Sequence, residues 1–206
     1  MTGISPHEKR WGMRILLFVL ILISGFAAHS ARPISGTVER DASGVYLRAD
    51  SSCVRYMIIT KSNDAEVSVR KLTTGDTLTA SGVLESNTCA AIIESVDYVG
   101  LRKMLGYWHS SDGLITVRDF NNLSFYPITM KDFQNGQSYS EVDPIVYRYS
   151  MTPSDGKDWV LFLSDSTSTT FATIRFNKSR ATMKIYDSDT GNVTRTLYLN
   201  KWGNLK

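Results

Sequence analysis

The stretch Trp159-Val-Leu-Phe-Leu163, with Thr170-Phe-Ala-Thr-Ile-Arg-Phe176 after it, decides the fold. Both segments are short and rich in β-branched and aromatic residues, as β-strands are. The neighbouring segments Ser154-Asp-Gly-Lys-Asp158 and Asp187-Ser-Asp-Thr-Gly-Asn192 have the composition of tight turns. Short strands separated by such turns predict an antiparallel meander.

The same pattern extends along the rest of the chain. Within residues 105–206 we predict further strands at 114–118, 123–126, 145–150, 182–186 and 193–199. Within residues 34–100 we predict strands at 34–40, 44–48, 53–60, 67–72, 77–84 and 90–96. The fold class is therefore all-β, with two small antiparallel barrel or sandwich domains over residues 34–100 and 105–206. A short helical turn within residues 99–105 is the expected joint.

The N-terminus has the pattern of a secretory signal. An apolar run, Ile15-Leu-Leu-Phe-Val-Leu-Ile-Leu-Ile23, follows Arg10 and Arg14 and is succeeded by small residues. These features predict a signal peptide over residues 1–30. The run is shorter than the roughly 20 apolar residues of a membrane-spanning helix. The alternative is an uncleaved anchor over residues 15–28, which would tether the protein to a membrane.

Export changes how the charge of the chain is interpreted. The whole sequence has 23 Lys and Arg against 20 Asp and Glu, a net charge of +3. Three of those basic residues and one acidic residue lie within residues 1–30, which leaves 20 basic and 19 acidic residues. A nearly neutral chain does not favour a nucleic-acid partner. We expect a periplasmic or secreted protein.

Two cysteines, Cys53 and Cys89, are present. In an oxidising compartment an even pair favours a disulfide, and two separate buried thiols are the alternative. The loop that this bridge would close corresponds to about 4 kcal/mol of stabilisation in the chain-entropy description.

The first β region resembles an OB-type small barrel. The resemblance rests on Lys71-Leu-Thr-Thr-Gly-Asp-Thr-Leu-Thr-Ala-Ser-Gly-Val-Leu84 and Ile92-Ile-Glu-Ser-Val96, and it covers residues 34–100. In such barrels a Gly-Asp turn precedes a strand, a glycine kinks that strand, and a closing strand follows. A bacterial SH3-like barrel is the alternative. Nucleic-acid binding, which an OB resemblance suggests, needs stacked aromatic residues on a basic groove. The region holds only three tyrosines, and its basic residues are balanced by acidic ones, so we expect no nucleic acid as a partner.

The second β region resembles a lipocalin-like small barrel. The resemblance rests on Leu105-Gly-Tyr-Trp108, because such barrels open on a Gly-x-Trp whose tryptophan packs across the closed end, and it covers residues 105–206. Aromatic residues are concentrated here, and they could line a pocket for an apolar ligand. The candidate ligand-binding residues are Trp108, Tyr147, Tyr149, Trp159 and Phe176. An ordinary packed core is the alternative.

Catalytic and metal-binding patterns are weak. His109 is the single histidine after residue 30, which excludes a metal site built from several histidines. The run His109-Ser-Ser-Asp112 has the residue types of a hydrolase site but not its sequence context, and a polar loop explains it. The run Asp187–Asn192 fits a hairpin turn better than a calcium loop. We predict no catalytic residue, no metal and no cofactor.

These inferences lead to an exported, non-catalytic binding or interaction protein of the cell envelope or extracellular space. Its expected partner is another protein or an envelope component, with membrane contact only if residues 15–28 are retained. Two alternatives stay open. One is a carrier of a small apolar ligand in the C-terminal barrel, and the other is a hydrolase with a site near His109.

Overall fold

The computed structural model describes residues 31–154 and 156–202, which contain thirteen β-strands and two short α-helices. The first five strands are β1 Arg32–Asp41, β2 Gly44–Arg48, β3 Tyr56–Thr60, β4 Thr77–Glu85 and β5 Ala90–Gly100. The other eight are β6 Gly106–His109, β7 Leu114–Val117, β8 Asn122–Tyr126, β9 Ile145–Pro153, β10 Trp159–Ser164, β11 Thr169–Asn177, β12 Arg180–Tyr186 and β13 Val193–Lys201. The helices are α1 Asn63–Lys71 and α2 Met130–Gln134. The predicted all-β class is confirmed.

The predicted signal peptide over residues 1–30 lies outside the described residues. Within the described ranges, no helix has the length and apolar character needed to cross a membrane.

The first five strands close into a ring. Strand β1 pairs antiparallel with β2 and β4, and β2 pairs antiparallel with β3. Strand β5 then pairs antiparallel with β4 and parallel with β3. The parallel pair needs a long connection between its strands, and this connection contains α1.

Helix α1 corrects one element of the sequence prediction, because residues 67–72 were expected to form a strand. The alternation of Val67-Ser-Val69 concealed a helical pattern, in which Ala65, Val69 and Leu72 are spaced four and three residues apart and are all buried. The Ser62 hydroxyl caps the first turn by accepting the backbone N–H of Ala65 at 3.2 Å. Acidic residues in the first turn and basic residues in the last turn also stabilise the helix, because their charges interact favourably with its dipole.

The remaining eight strands form a second closed ring. Each strand from β6 to β13 pairs antiparallel with the next. Strand β13 returns to β6 through Asn200 opposite His109 and Lys201 opposite Trp108. This ring is therefore an up-and-down barrel, and every strand has a partner on both sides.

The two rings share one hydrophobic core. Strands β5 and β9 meet at a single antiparallel pair, Val99 opposite Met151. The buried apolar cluster runs from Ile34 in β1 to Leu199 in β13 without a break. The described residues from Arg32 onward form one compact unit.

Tyr98 reinforces the contact between the rings, and Tyr149 holds the same loop from within the eight-stranded ring. The Tyr98 hydroxyl, from β5, donates to the backbone carbonyl of Phe120. The Tyr149 hydroxyl, from β9, donates to the carbonyl of Asp119 at 3.1 Å. Burial raises the pKa of Tyr98 to about 12 and also raises the pKa of Tyr149.

A buried carboxylate connects the first ring to the linker. Asp76 is 1% exposed and accepts the backbone N–H and the hydroxyl of Thr73 at 2.7 and 2.9 Å. Its other oxygen accepts the backbone N–H of Arg102 at 2.7 Å, at the start of the short 3-10 turn that leads into β6. Between them, Gly75 has φ +93°, and a Cβ there would lie 2.6 Å from Arg102 Cδ. The turn therefore needs both the glycine and the carboxylate.

The predicted disulfide between Cys53 and Cys89 is confirmed, with a Cα–Cα distance of 5.8 Å. It joins the loop before β3 to the residue before β5. The Tyr56 hydroxyl holds the same loop, since it accepts the backbone N–H of Cys53 at 3.1 Å and donates to Ser51 Oγ at 2.8 Å.

We predict that Asp76→Ala lowers the free energy of unfolding by about 3 kcal/mol, because three donors lose a buried, charged acceptor. Asp76→Asn keeps one acceptor oxygen and should cost less. Chemical denaturation measures both, with Asp143→Ala at an exposed position as the control. Equal stability of Asp76→Ala and Asp143→Ala would contradict this role for Asp76.

We also expect the free energy of unfolding to fall as the pH rises from about 10 to 12, because the unfolded chain releases tyrosine protons that the folded chain retains. Below a pH of about 10, Tyr98 and Tyr149 are neutral in both states and this stabilisation is complete. Tyr98→Phe should reduce the slope of the free energy of unfolding against pH by the equivalent of about one proton. The control is Tyr198→Phe, whose side chain is 70% exposed. Identical slopes for the wild type and Tyr98→Phe would refute the assignment.

Candidate functional site

The eight-stranded ring contains a cavity of about 290 Å³. Its lining is mostly apolar, as expected of a site for a small molecule. The lining residues are Ile115, Leu123, Phe125, Tyr147, Leu163, Thr170, Met183, Ile185, Thr194, Arg195 and Leu197.

Strand alternation places most of these side chains inside the barrel, although the neighbouring Thr194 and Arg195 both reach the lining. Along β12, Met183 and Ile185 line the cavity, and the intervening Lys184 is exposed. The register between β12 and β13 shifts at Ile185 and Tyr186. A shift of this kind bends a strand and re-aims its side chains, here beside the cavity.

The cavity lies toward one end of the barrel. Its lining includes Thr194 and Arg195 near the start of β13, Ile185 near the end of β12, and Thr170 near the start of β11. The turn between β12 and β13 and the loop between β6 and β7 lie at this end, because the chain reverses there.

The opposite end of the barrel is filled by Trp108, which is 1% exposed. Its indole N–H donates to the carbonyl of Met104 at 2.8 Å, and its ring lies 6.0 Å from that of Phe176. The Lys201 ammonium lies 5.1 Å from the Trp108 ring centroid and donates to the carbonyl of Lys103 at 3.1 Å. A packed aromatic residue under a hydrogen-bonded cation closes this end.

Two further lysines extend this closed end toward the first ring. The Lys103 ammonium lies 5.2 Å from the Trp159 ring centroid and 4.7 Å from that of Phe176. Burial lowers the pKa of Lys103. Lys71, from α1, lies 5.8 Å from the same Trp159 ring and donates to the carbonyl of Gly156 at 2.8 Å. Lys71 and Lys103 therefore cover the faces of the Trp159 and Phe176 rings, which a ligand would otherwise contact.

The five candidate ligand-binding residues therefore do not lie together. Tyr147 lines the cavity. Trp108, Trp159 and Phe176 lie together at the closed end, and Tyr149 is buried with its hydroxyl on a backbone carbonyl. These five residues were predicted because they are aromatic. Whether a residue reaches the cavity depends instead on its position along its strand.

Arg195 is the charged residue of the lining, and no sequence pattern singles it out. Its Nε and Nη2 atoms each lie 2.7 Å from Asp112 Oδ2, in the loop between β6 and β7. The other oxygen of Asp112 accepts the Ser111 hydroxyl at 2.6 Å. The hydrogen bonds from Ser111 and Arg195 hold the pKa of Asp112 below its usual range. Asp112 is thus an ion-pair partner at the edge of the cavity.

In the described part of the chain, His109 is not paired with a serine. No hydrogen bond joins it to Ser110, Ser111 or Asp112. The Ser110 hydroxyl instead donates to the carbonyl of Gly113, and the Ser111 hydroxyl donates to Asp112. These contacts organise a tight loop in which no imidazole meets a serine hydroxyl.

The run Asp187–Asn192 forms the hairpin turn that the sequence favours. Asp187 Oδ1 accepts the backbone N–H groups of Asp189 and Thr190 at 3.1 and 2.7 Å. The Thr190 hydroxyl donates to the same oxygen at 2.9 Å. A search of residues 31–154 and 156–202 finds no cluster of three His, Cys, Asp or Glu side chains placed to hold a metal ion.

Comparisons of this chain with protein-family models, with curated proteins and with solved structures find no match. The function must therefore be argued from the cavity and its surroundings.

Proposed function

We propose that this chain is an exported, non-catalytic binding protein whose eight-stranded barrel carries a small, mostly apolar ligand. The cavity of about 290 Å³ inside that barrel is the observation that carries the proposal. It favours ligand carriage over contact with another protein or an envelope component, since an ordinary packed core would fill the barrel with side chains.

The size of the cavity limits the ligand. Small-molecule sites usually occupy about 300–1,000 Å³, so this cavity is at the lower end of the range. An eight-stranded barrel has an interior just wide enough for packed side chains or one small ligand. Since Trp108 and its neighbours fill one end, the ligand would enter from the end that holds Thr170 and Arg195.

We also propose that this barrel is lipocalin-like. The proposal is supported by the Gly106-Tyr-Trp108 opening, by the antiparallel closure of eight strands, and by the position of Trp108 across one end. Lys201, on the last strand, covers the tryptophan with a cation. In the lipocalin pattern a distal arginine accompanies the Gly-x-Trp, and here we propose that Lys201 fills that role.

For the first ring we propose an OB-type barrel. The ring of five strands and the turn at Gly75 and Asp76 before β4 support it. Gly82 supplies the kink in β4, because the pairing with β5 shifts register there and a Cβ would lie 2.1 Å from the Ile92 carbonyl oxygen.

Export is the remaining part of the proposal, and the Cys53–Cys89 disulfide supports an oxidising compartment. We expect the exported protein to begin at Ala31 or Arg32, as measured by intact-mass spectrometry of the chain recovered from the cell exterior or periplasm. An intact Met1 in the exported chain would support the anchored alternative over residues 15–28.

Filling the cavity should abolish ligand binding. Thr170→Trp places a large ring at a lining position, so we expect it to remove saturable binding of the neutral apolar dye N-phenyl-1-naphthylamine. Fluorescence titration of the full chain measures the binding.

The matched control is Thr196→Trp, on the same barrel but at an exposed position outside the lining. It should bind the dye as the wild type does. If the wild type itself does not bind the dye, the carrier proposal fails, and contact with a protein or envelope component becomes the better explanation. Circular dichroism establishes that each variant is folded.

A further inference from the structure

Arg195 is the only charged residue among the eleven that line the cavity. Its ion-pair partner is Asp112, which is not part of the lining. The cavity therefore has a positive group at its entrance whose counter-charge lies outside it.

The guanidinium of Arg195 is only partly engaged by Asp112. The Arg195 side chain is 50% exposed, and its Nε and Nη2 atoms both lie against the same oxygen, Oδ2. In the described part of the chain, its remaining N–H groups make no hydrogen bond. Guanidinium groups bind carboxylates through two parallel hydrogen bonds to both oxygens, a geometry that Asp112 does not provide and that a ligand carboxylate in its place would.

The existing ion pair is also easy to exchange. Exposed ion pairs contribute little to stability, because water screens them and ordering the side chains costs entropy. An anionic head group held at the cavity entrance would meet the same cation while its apolar tail leaves water. Exchange of Asp112 for a ligand anion is therefore favoured by the tail.

We infer that the ligand is a short apolar chain with a single anionic head group, bound tail-first in the cavity with its head on Arg195 in place of Asp112. This inference rests on the proposed carrier function and names the class of ligand. The volume of about 290 Å³ corresponds to about ten water-sized groups of about 30 Å³ each, which suits a medium-chain carboxylate.

The probes are decanoate, decanol and decyltrimethylammonium, which share a tail and differ in charge. Isothermal titration calorimetry of the full chain should show decanoate binding about tenfold more tightly than decanol, and the cation most weakly. Arg195→Gln should reduce the affinity for decanoate by about tenfold and leave that for decanol unchanged. Arg180→Gln, at an exposed position outside the lining, is the matched control and should change neither.

A second variant tests the exchange itself. Asp112→Asn removes the competing anion, so the affinity for decanoate should rise by a few-fold while decanol binding stays constant. A merely structural ion pair would instead weaken the binding of both probes when Asp112 is changed.

The outcomes separate the inference from the proposal beneath it. If decanol and decanoate bind equally and Arg195→Gln changes neither, the cavity is a carrier site and the anionic head group is wrong. If no decyl probe binds the folded wild type although the dye does, the inference is wrong, and if the dye does not bind either, the carrier function itself is wrong. Tighter decyltrimethylammonium binding would assign the entrance to Asp112 and would also overturn the inference.

Discussion

The structure depends on one buried carboxylate. Asp76 satisfies the turn at Thr73 with one oxygen and the amide of Arg102 with the other, so the first ring and the linker to the second share a single acceptor. Because a buried charge is tolerated only when it is fully hydrogen-bonded, all of these groups must be in place together. The side chain of Arg102 packs against Gly75, which places the start of β6 and hence Trp108.

The two ends of the eight-stranded barrel have different chemistry. At the end near the linker, Trp108 and Trp159 are covered by Lys201 and Lys103, and the interior is full. At the far end the cavity has a mostly apolar lining, and Asp112 in the loop between β6 and β7 holds Arg195 at its edge. The first end is therefore packed with side chains, and the cavity lies at the second.

Local pattern predicted most of the strands, since alternation and turn residues act over a few neighbours. It was wrong for residues 67–72, where alternating valines concealed the helical spacing of Ala65, Val69 and Leu72. The disulfide was predicted from the oxidising compartment and the even number of cysteines. Of the candidate pocket residues, only Tyr147 lines the cavity, because alternation indicates the inner face of a strand but not the depth along the barrel.

The amino-acid sequence alone predicts the all-β class, the turns, the Cys53–Cys89 pairing and the shortage of histidine for metal chemistry. These properties depend on composition and on neighbours along the chain. The folded chain adds that β13 returns to β6, that Trp108 closes one end beneath Lys201, and that Arg195 reaches the cavity edge while paired with Asp112. Those relations join residues more than 80 positions apart, and only ring closure brings them together.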